Sequence, residues 1–337
     1  MQKVKTGIVG LGRLGQRYAE NLRFKIPQSE LVAACSINPK ELQFAREELG
    51  LTACYDNLDA MLANEQLDAL FVISSTDQHA PHMIKGLEAG LHVFCEKPLS
   101  LDLNSCAEVV RIADAHPDQY AVVGFARRFD PSYAYAKRKV DAGAIGTPFL
   151  VKSQTVDVDA TAKFQIEFVK TSGGLFQDYN VHDLDLARWF LGSNIKTVFA
   201  TGGAFKHPEF AAAGDADNVL STCVLDNGTM ATIHASRTAQ HGHDTFTEVV
   251  GTEGTLRIGR PASMHLVEIS DKHGVRKECA QTFYERFQEG FLLQTQDFID
   301  CIIEGREPEL KLEDAIEATK AAIALTRSFR EKKLCEV

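Results

Sequence analysis

A chain of 337 residues is too long for one ordinary core and suits two domains. Hydrophobic residues at 45% and charged residues at 24% give the mix of a globular protein, not a disordered one. With 36 Lys and Arg against 46 Asp and Glu, the formal charge of −10 argues against nucleic acid or an anionic membrane surface as the main partner, yet allows a phosphate pocket built from a few local donors.

The opening MQKVKTGIVGLG lacks a long apolar stretch ending in a small-residue cleavage site, so no signal peptide is expected. No run of about 18 apolar residues predicts a membrane span. The eight cysteines are scattered without any C-x-x-C, which predicts reduced thiols and a cytoplasmic setting.

The first third alternates short apolar runs with helical stretches. Strands are expected at Val4–Gly10, Leu31–Cys35, Leu67–Ser74, His92–Cys95 and Tyr120–Gly124. Helices are expected between them, from Leu14 to Leu22, Lys40 to Leu49, His79 to Ala89 and Ser105 to Ala115. That alternation predicts an α/β fold, a parallel sheet covered on both faces, over residues 1–124. From about Phe125 the texture changes. Phe149–Val158, Thr197–Thr201, Asn218–Leu225, Thr229–Ser236, Thr245–Gly251, Thr255–Ile258 and His265–Ile269 read as successive strands. Asp226-Asn227-Gly228 and Gly251–Gly254 are turn signals between them. A second domain over 125–337, α+β with a large and mostly antiparallel sheet, is expected, and Phe291–Ile303 and Leu312–Arg330 are amphipathic helices that pack back.

Gly10-Leu11-Gly12-Arg13-Leu14-Gly15 follows the first strand and opens a helix. The first glycine permits the tight turn, the second lets backbone approach a pyrophosphate, and the third lets helix pack on strand. The helix N-terminus offers free N–H groups to the phosphates. An acid expected after the second strand, about 20 residues on, would hold the ribose hydroxyls of NAD. The sequence there is Cys35-Ser36-Ile37-Asn38. A neutral Ser36 with Arg13 and Lys40 nearby would accept the 2′-phosphate of NADP, and the same serine can bond the ribose of NAD, so both cofactors stay open. Ser74, after the third strand, and Glu96 are counted with the cofactor contacts.

The fourth strand runs into Glu96-Lys97-Pro98. A lysine at the carboxyl end of a parallel strand points into the crevice where such sheets bind ligands, and Pro98 restricts its backbone. Further on, Ser172-Gly173-Gly174 feeds a helix with Asp178 and His182 at i, i+4, expected on one face with Leu186. A histidine and a carboxylate one turn apart suit general base work, because the acid orients the ring and stabilises its charged form. The plainer alternatives are Asp178 as a helix N-cap and His182 as a satisfied surface histidine. The pair could also hold zinc, but no cysteine pair or second clustered histidine stands beside it in sequence, so no metal is expected.

The glycine loop, the Glu96-Lys97-Pro98 step and the Gly-Gly…Asp178…His182 segment together resemble the glucose–fructose oxidoreductase / inositol dehydrogenase / rhizopine catabolism (Gfo/Idh/MocA) family, over nearly the whole chain. Within it, the start GIVGLGRLGQRYAENL, the stretch Gly124-Phe125-Ala126-Arg127-Arg128-Phe129-Asp130 and the helix around His182 are similar to the inositol 2-dehydrogenases. The resemblance implies a Rossmann domain followed by a domain whose open sheet often forms dimers or tetramers. It implies that Lys97 bonds the reacting oxygen, Asp178 positions the substrate, His182 accepts the proton, and Arg127 lies near substrate and nicotinamide. The implied reaction passes a hydride from a polyol to NAD or NADP. Gln240-His241-Gly242-His243-Asp244 carries histidines where related inositol dehydrogenases tend to show tyrosines, so His243 is a substrate candidate; Asp157, Asp159 and Tyr284 are weaker ones. Two alternatives stay open: an aldose or other sugar dehydrogenase of the same family, and a dinucleotide-binding sensor without turnover.

Overall fold

The computed structural model describes residues 3–259, 263–265 and 267–337. The chain divides into two compact units, Met1–Ala126 with Phe291–Ile316, and Arg127–Gly290 with Glu317–Val337.

The first unit is built on six strands, β1 (Val4–Val9), β2 (Ser29–Cys35), β3 (Ala53–Tyr55), β4 (Ala69–Val72), β5 (His92–Glu96) and β6 (Ala121–Gly124). Their spatial order is β3-β2-β1-β4-β5-β6, and every pairing is parallel. All four residues of β4 are buried, as are four of the five in β5, because helices cover both faces of such a sheet. Phe71 of β4 and Phe94 of β5 stack at 5.3 Å, and Phe298 meets Phe71 edge-on at 5.6 Å. The strand order reverses between β1 and β4, which opens a crevice at their carboxyl ends. The third expected strand, Leu67–Ser74, is shorter in fact. The short β3 and the Leu58–Asn64 helix behind it were not expected, since ACY is too brief to show a period. The first helix spans Arg13–Glu20 and continues as a π-helical turn over Asn21–Lys25.

The second unit carries β7 (Pro148–Val158), β8 (Ile195–Gly203), β9 (Asn218–Leu225), β10 (Met230–Ala239), β11 (Asp244–Gly251), β12 (Thr255–Ile258), a small hairpin of β13 (Ile269–Asp271) and β14 (Gly274–Arg276), and β15 (Cys335–Glu336). The large sheet runs β12-β11-β7-β10-β9-β8-β15. Its pairs are antiparallel except β7 with β10, so the mostly antiparallel expectation holds. Gly228 in the Asp226-Asn227-Gly228 turn takes φ +82°, a left-handed value that glycine adopts without strain. The strand expected at His265–Ile269 is corrected. Leu266 lies outside the described residues, His265, Val267 and Glu268 are not in a strand, and pairing starts at Ile269. The helix expected from Phe291 starts earlier and spans Phe283–Glu304, with non-helical backbone at Phe287. The last helix is Leu312–Glu331. No helix among the described residues is long and apolar enough to cross a membrane.

Candidate active site

In the first unit the glycine loop, Ser36, Ser74 and Lys97 all follow the carboxyl ends of strands, from β1, β2, β4 and β5 respectively. A side chain on Gly10 would place its Cβ 2.4 Å from the Ile73 carbonyl, and one on Gly15 would lie 2.1 Å from the Gly10 carbonyl. These two positions therefore tolerate only glycine. At Gly12 the corresponding point meets only Glu41 Oε1, at 4.0 Å, so the loop is open on that side. Gly12 also begins the Arg13–Glu20 helix without a side-chain cap. Orphan amides above an open glycine form a cradle that fits a pyrophosphate. Arg13 is exposed and Leu14 half-buried at the start of that helix.

Ser74 packs against Gly10, and its Oγ bonds His82 Nδ1 at 3.0 Å. Burial brings the His82 imidazole down to about 4. His79, which showed no signal in the sequence, sets Nε2 3.1 Å from the Ser74 carbonyl and Nδ1 2.8 Å from the Pro98 carbonyl, so the neutral ring donates to one of the two according to its tautomer. It thereby ties the loop after β4 to the loop after β5, and burial holds its pKa below the ordinary histidine range.

Lys97 is the one residue from Val93 to Ser100 that is not buried. The Lys97–Pro98 peptide is cis. Beneath it, Glu96 is turned inward: Oε1 accepts the Tyr18 hydroxyl at 2.5 Å and Oε2 accepts the Lys97 amide at 3.0 Å. Gln294 in turn donates to the Tyr18 hydroxyl. Burial raises the Glu96 carboxyl against the opposing pull of Tyr18 and Lys97. Glu96 is therefore placed as a support for the Lys97 backbone.

In the second unit, Asp178 does not lie in an ordinary α-helix. Phe176–Asn180 forms a π-helical turn, and the α-helix starts at Val181. The i, i+4 pair thus bridges a wide turn and a regular one, which corrects the simple one-face picture shared with buried Leu186. Nor is Asp178 the helix N-cap; that position belongs to Asn180, and the Asp178 amide already donates to the Gly174 carbonyl at 3.0 Å. From Gly174 to Leu191 only Asp178, His182 and Trp189 are not buried. Asp178 and His182 are thus the two titratable side chains that this stretch leaves unburied. π-turns inserted in helices are frequent at functional sites.

Behind His182 lies an ionic core that sequence reasoning missed. Asp183, fully buried, accepts from Arg127 Nη1 (2.9 Å), Ser153 Oγ (2.5 Å) and Thr155 Oγ1 (2.8 Å). Asp185 accepts from Arg128 Nε (2.9 Å) and Nη2 (2.5 Å). Arg127 is 4% exposed, also donates to Thr155 Oγ1 at 2.8 Å, and stacks its guanidinium 5.3 Å from the Phe287 ring. Its guanidinium is therefore fixed from within the second unit. The signal was present: two arginines in sequence and two alternating aspartates, spaced to zip together.

His243 is buried, and its Nδ1 lies 3.4 Å from Asp157 Oδ1. Asp157 also accepts from the Tyr179 hydroxyl at 3.0 Å. Burial works to raise the Asp157 carboxyl, but bonds from His243, the Val158 amide and Tyr179 outweigh it and hold it low. His243 Nε2 has no hydrogen-bond partner among the described residues. The ring lines a cavity of about 320 Å³ with Ser132, Cys279 and Arg286. His241 is exposed and turns instead to Asp244, at 3.2 Å. Asp159 is held by Lys206 and His207, both at 2.7 Å, and these bonds, that from Lys206 foremost, bring its carboxyl pKa down to about 2. Tyr284 is half-buried at the start of the Phe283–Glu304 helix. No group of three metal-ligating side chains stands together among the described residues.

The description "Oxidoreductase family, NAD-binding Rossmann fold" matches residues 4–125, and "GFO/IDH/MocA C-terminal domain" matches residues 133–257. The chain is 36% identical to the scyllo-inositol 2-dehydrogenase (NAD(+)) of Bacillus subtilis, over 97% of this chain and 94% of that protein. It is 32% identical to the myo-inositol 2-dehydrogenase of Thermotoga maritima, over 98% and 97% of the two chains. A crystal structure of scyllo-inositol dehydrogenase from Lactobacillus casei with bound NAD(H) and scyllo-inositol superimposes with a TM-score of 0.96 at 37% identity, covering 99% of each chain. With both of its halves matched and its glycine cradle intact, the chain belongs to the GFO/IDH/MocA family of oxidoreductases.

Proposed function

We propose that the chain is an NAD-dependent inositol 2-dehydrogenase, which oxidises one ring hydroxyl of a cyclitol to the ketone. The observation that carries this reading is that Asp178 and His182 are the two titratable side chains left unburied between Gly174 and Leu191. The activities named for its relatives support it. A bound nicotinamide supplies the hydride acceptor. In this reading His182 takes the proton of the reacting hydroxyl. Lys97 donates a hydrogen bond to that oxygen and stabilises the negative charge that develops on it. Asp178 orients the substrate. His243, with Nδ1 held by Asp157, offers Nε2 as acceptor to a second ring hydroxyl. The test is a matrix of cyclitols and aldoses against NAD and NADP, followed through reduced nicotinamide. Myo- or scyllo-inositol with NAD is expected to give the highest kcat/KM. A preference for glucose or xylose would support a sugar dehydrogenase instead, and no reduction with any inositol isomer would overturn the reading.

We also propose a homo-oligomer assembled through the open face of the large sheet. Along β9 the odd-numbered positions from Val219 to Leu225 are buried, while Leu220 and Val224 are 49% and 42% exposed. Val224 pairs across to Met230, itself 45% exposed, and Phe199 of β8 lies on the same side. A contiguous apolar patch of this kind marks an interaction surface. The wild-type protein is expected to elute as a dimer or tetramer and Leu220→Asp as a smaller species by size exclusion with light scattering. A monomeric wild type would overturn the assignment.

A further inference from the structure

Where a dinucleotide-binding fold ordinarily carries an acid after its second strand, this chain carries Ser36, buried and neutral. Its Oγ donates to Glu41 Oε2 at 2.6 Å. The other oxygen of that carboxylate, Oε1, lies 4.0 Å from the point where a Gly12 side chain would begin. The carboxylate therefore stands between the end of β2 and the open side of the glycine loop.

A helix-start role does not account for this placement. Glu41 occupies the third position of the Pro39–Glu47 helix behind its N-cap Asn38. From there a glutamate normally closes a capping box by accepting the N-cap amide. Here the Asn38 amide goes to Ser36 Oγ at 3.1 Å, and the Glu41 carboxylate accepts from Asn38 only through Nδ2, at 3.3 Å. The helix start is capped without Glu41, because Asn38 Oδ1 accepts the Lys40 amide at 3.1 Å. Ser36 and Asn38 Nδ2 each take one lone pair of the carboxylate, one on each oxygen, and the second lone pair of each oxygen remains able to accept a hydroxyl.

We propose that Glu41, held in place by Ser36, is the acid that accepts the adenosine ribose hydroxyls of NAD and excludes the 2′-phosphate of NADP. The inference rests on the reading of the chain as a nicotinamide-dependent dehydrogenase. Two vicinal hydroxyls donate to a carboxylate, whereas a phosphate dianion beside it meets like charge. Arg13 and Lys40 are exposed, so their charges are shared with water.

Calorimetric titration of the full-length protein with NAD+ and with NADP+, no polyol present, tests this. Wild type is expected to bind NAD+ at least about tenfold tighter, and Glu41→Gln to shrink that ratio by about ten- to a hundredfold, through both weaker NAD+ and stronger NADP+ binding. Ser36→Ala is expected to move the ratio the same way by less. Equal binding of both cofactors by wild type would overturn the proposal. So would a Glu41→Gln protein that melts earlier yet keeps the wild-type ratio, since that is the mark of a purely structural role. Selectivity for NAD+ without activity on any inositol would leave the proposal standing while the substrate reading falls; binding of neither dinucleotide would remove both.

Discussion

Replacing His182 with glutamine is expected to lower kcat for inositol oxidation by about 10²–10⁴ while leaving NAD+ affinity close to wild type, because a positioned general base contributes on that scale. Glutamine keeps the size and polarity of the side chain but cannot carry the proton away. The backbone that presents it should survive the change, since buried Asp183 and Asp185 anchor the Val181–Leu191 helix to Arg127 and Arg128. Lys97→Met is expected to lose about 10²–10³ in kcat, the scale on which one donor to a developing oxyanion acts. Here too the support lies in other residues: Glu96 and Tyr18 hold the strand end whatever side chain stands at 97. Single-turnover measurement of reduced nicotinamide with a substrate deuterated at the reacting carbon reads the chemical step itself. If Asp178 acts by orienting the partner of His182, Asp178→Asn combined with His182→Gln should cost less than the product of the single losses. A His182→Gln enzyme that turns over near the wild-type rate at neutral pH would remove histidine from the role of base.

Much of the architecture could be read in advance because its signals are periodic. Fully apolar runs such as Ala69–Val72 and the alternating Asn218–Leu225 declare a covered parallel strand and a one-sided antiparallel strand respectively. Gly10 and Gly15 were legible for a steric reason that the structure displays directly, and Gly12 leaves its side of the loop open. Side-chain partnerships across long separations were not legible. The acid missing after β2 is supplied by Glu41, five residues further on, and only the fold of the Pro39–Glu47 helix turns its carboxylate back toward Ser36. His79 bridges two loops through carbonyl oxygens, for which the sequence has no pattern. The π-turn at Phe176–Asn180 also lacks a local signature. Arg127 shows the same limit: its position in a motif shared with relatives drew attention to ligand, and the sequence had no pattern for its bonds to Asp183 and Thr155 inside the second unit.

That commitment has a large energetic consequence. Asp183→Ala is expected to destabilise the second unit by about 3–5 kcal/mol, since removing one member of a buried ion pair strands the other charge. Arg127 is 4% exposed and cannot recover water where it lies. Ser153 and Thr155 would lose the acceptor for their hydroxyls as well, although Ser153 can still turn to Thr247 Oγ1 at 3.2 Å. For a unit of this size the loss corresponds to a fall in melting temperature of roughly 6–20 °C. Asp183→Asn should fall less, because the amide keeps an acceptor for part of the network. Arg127→Met together with Asp183→Leu should recover much of the stability, because an apolar pair of similar volume avoids burying any charge. The double variant separates two reasons for having the pair at all. If it regains the wild-type melting temperature but not the wild-type kcat, the ion pair serves chiefly to hold the helix so that the adjacent His182 keeps its orientation. Melting of Asp183→Ala at the wild-type temperature, followed by circular dichroism, would show instead that water or another group neutralises Arg127, and the buried pair would lose its place as the anchor of the His182 helix.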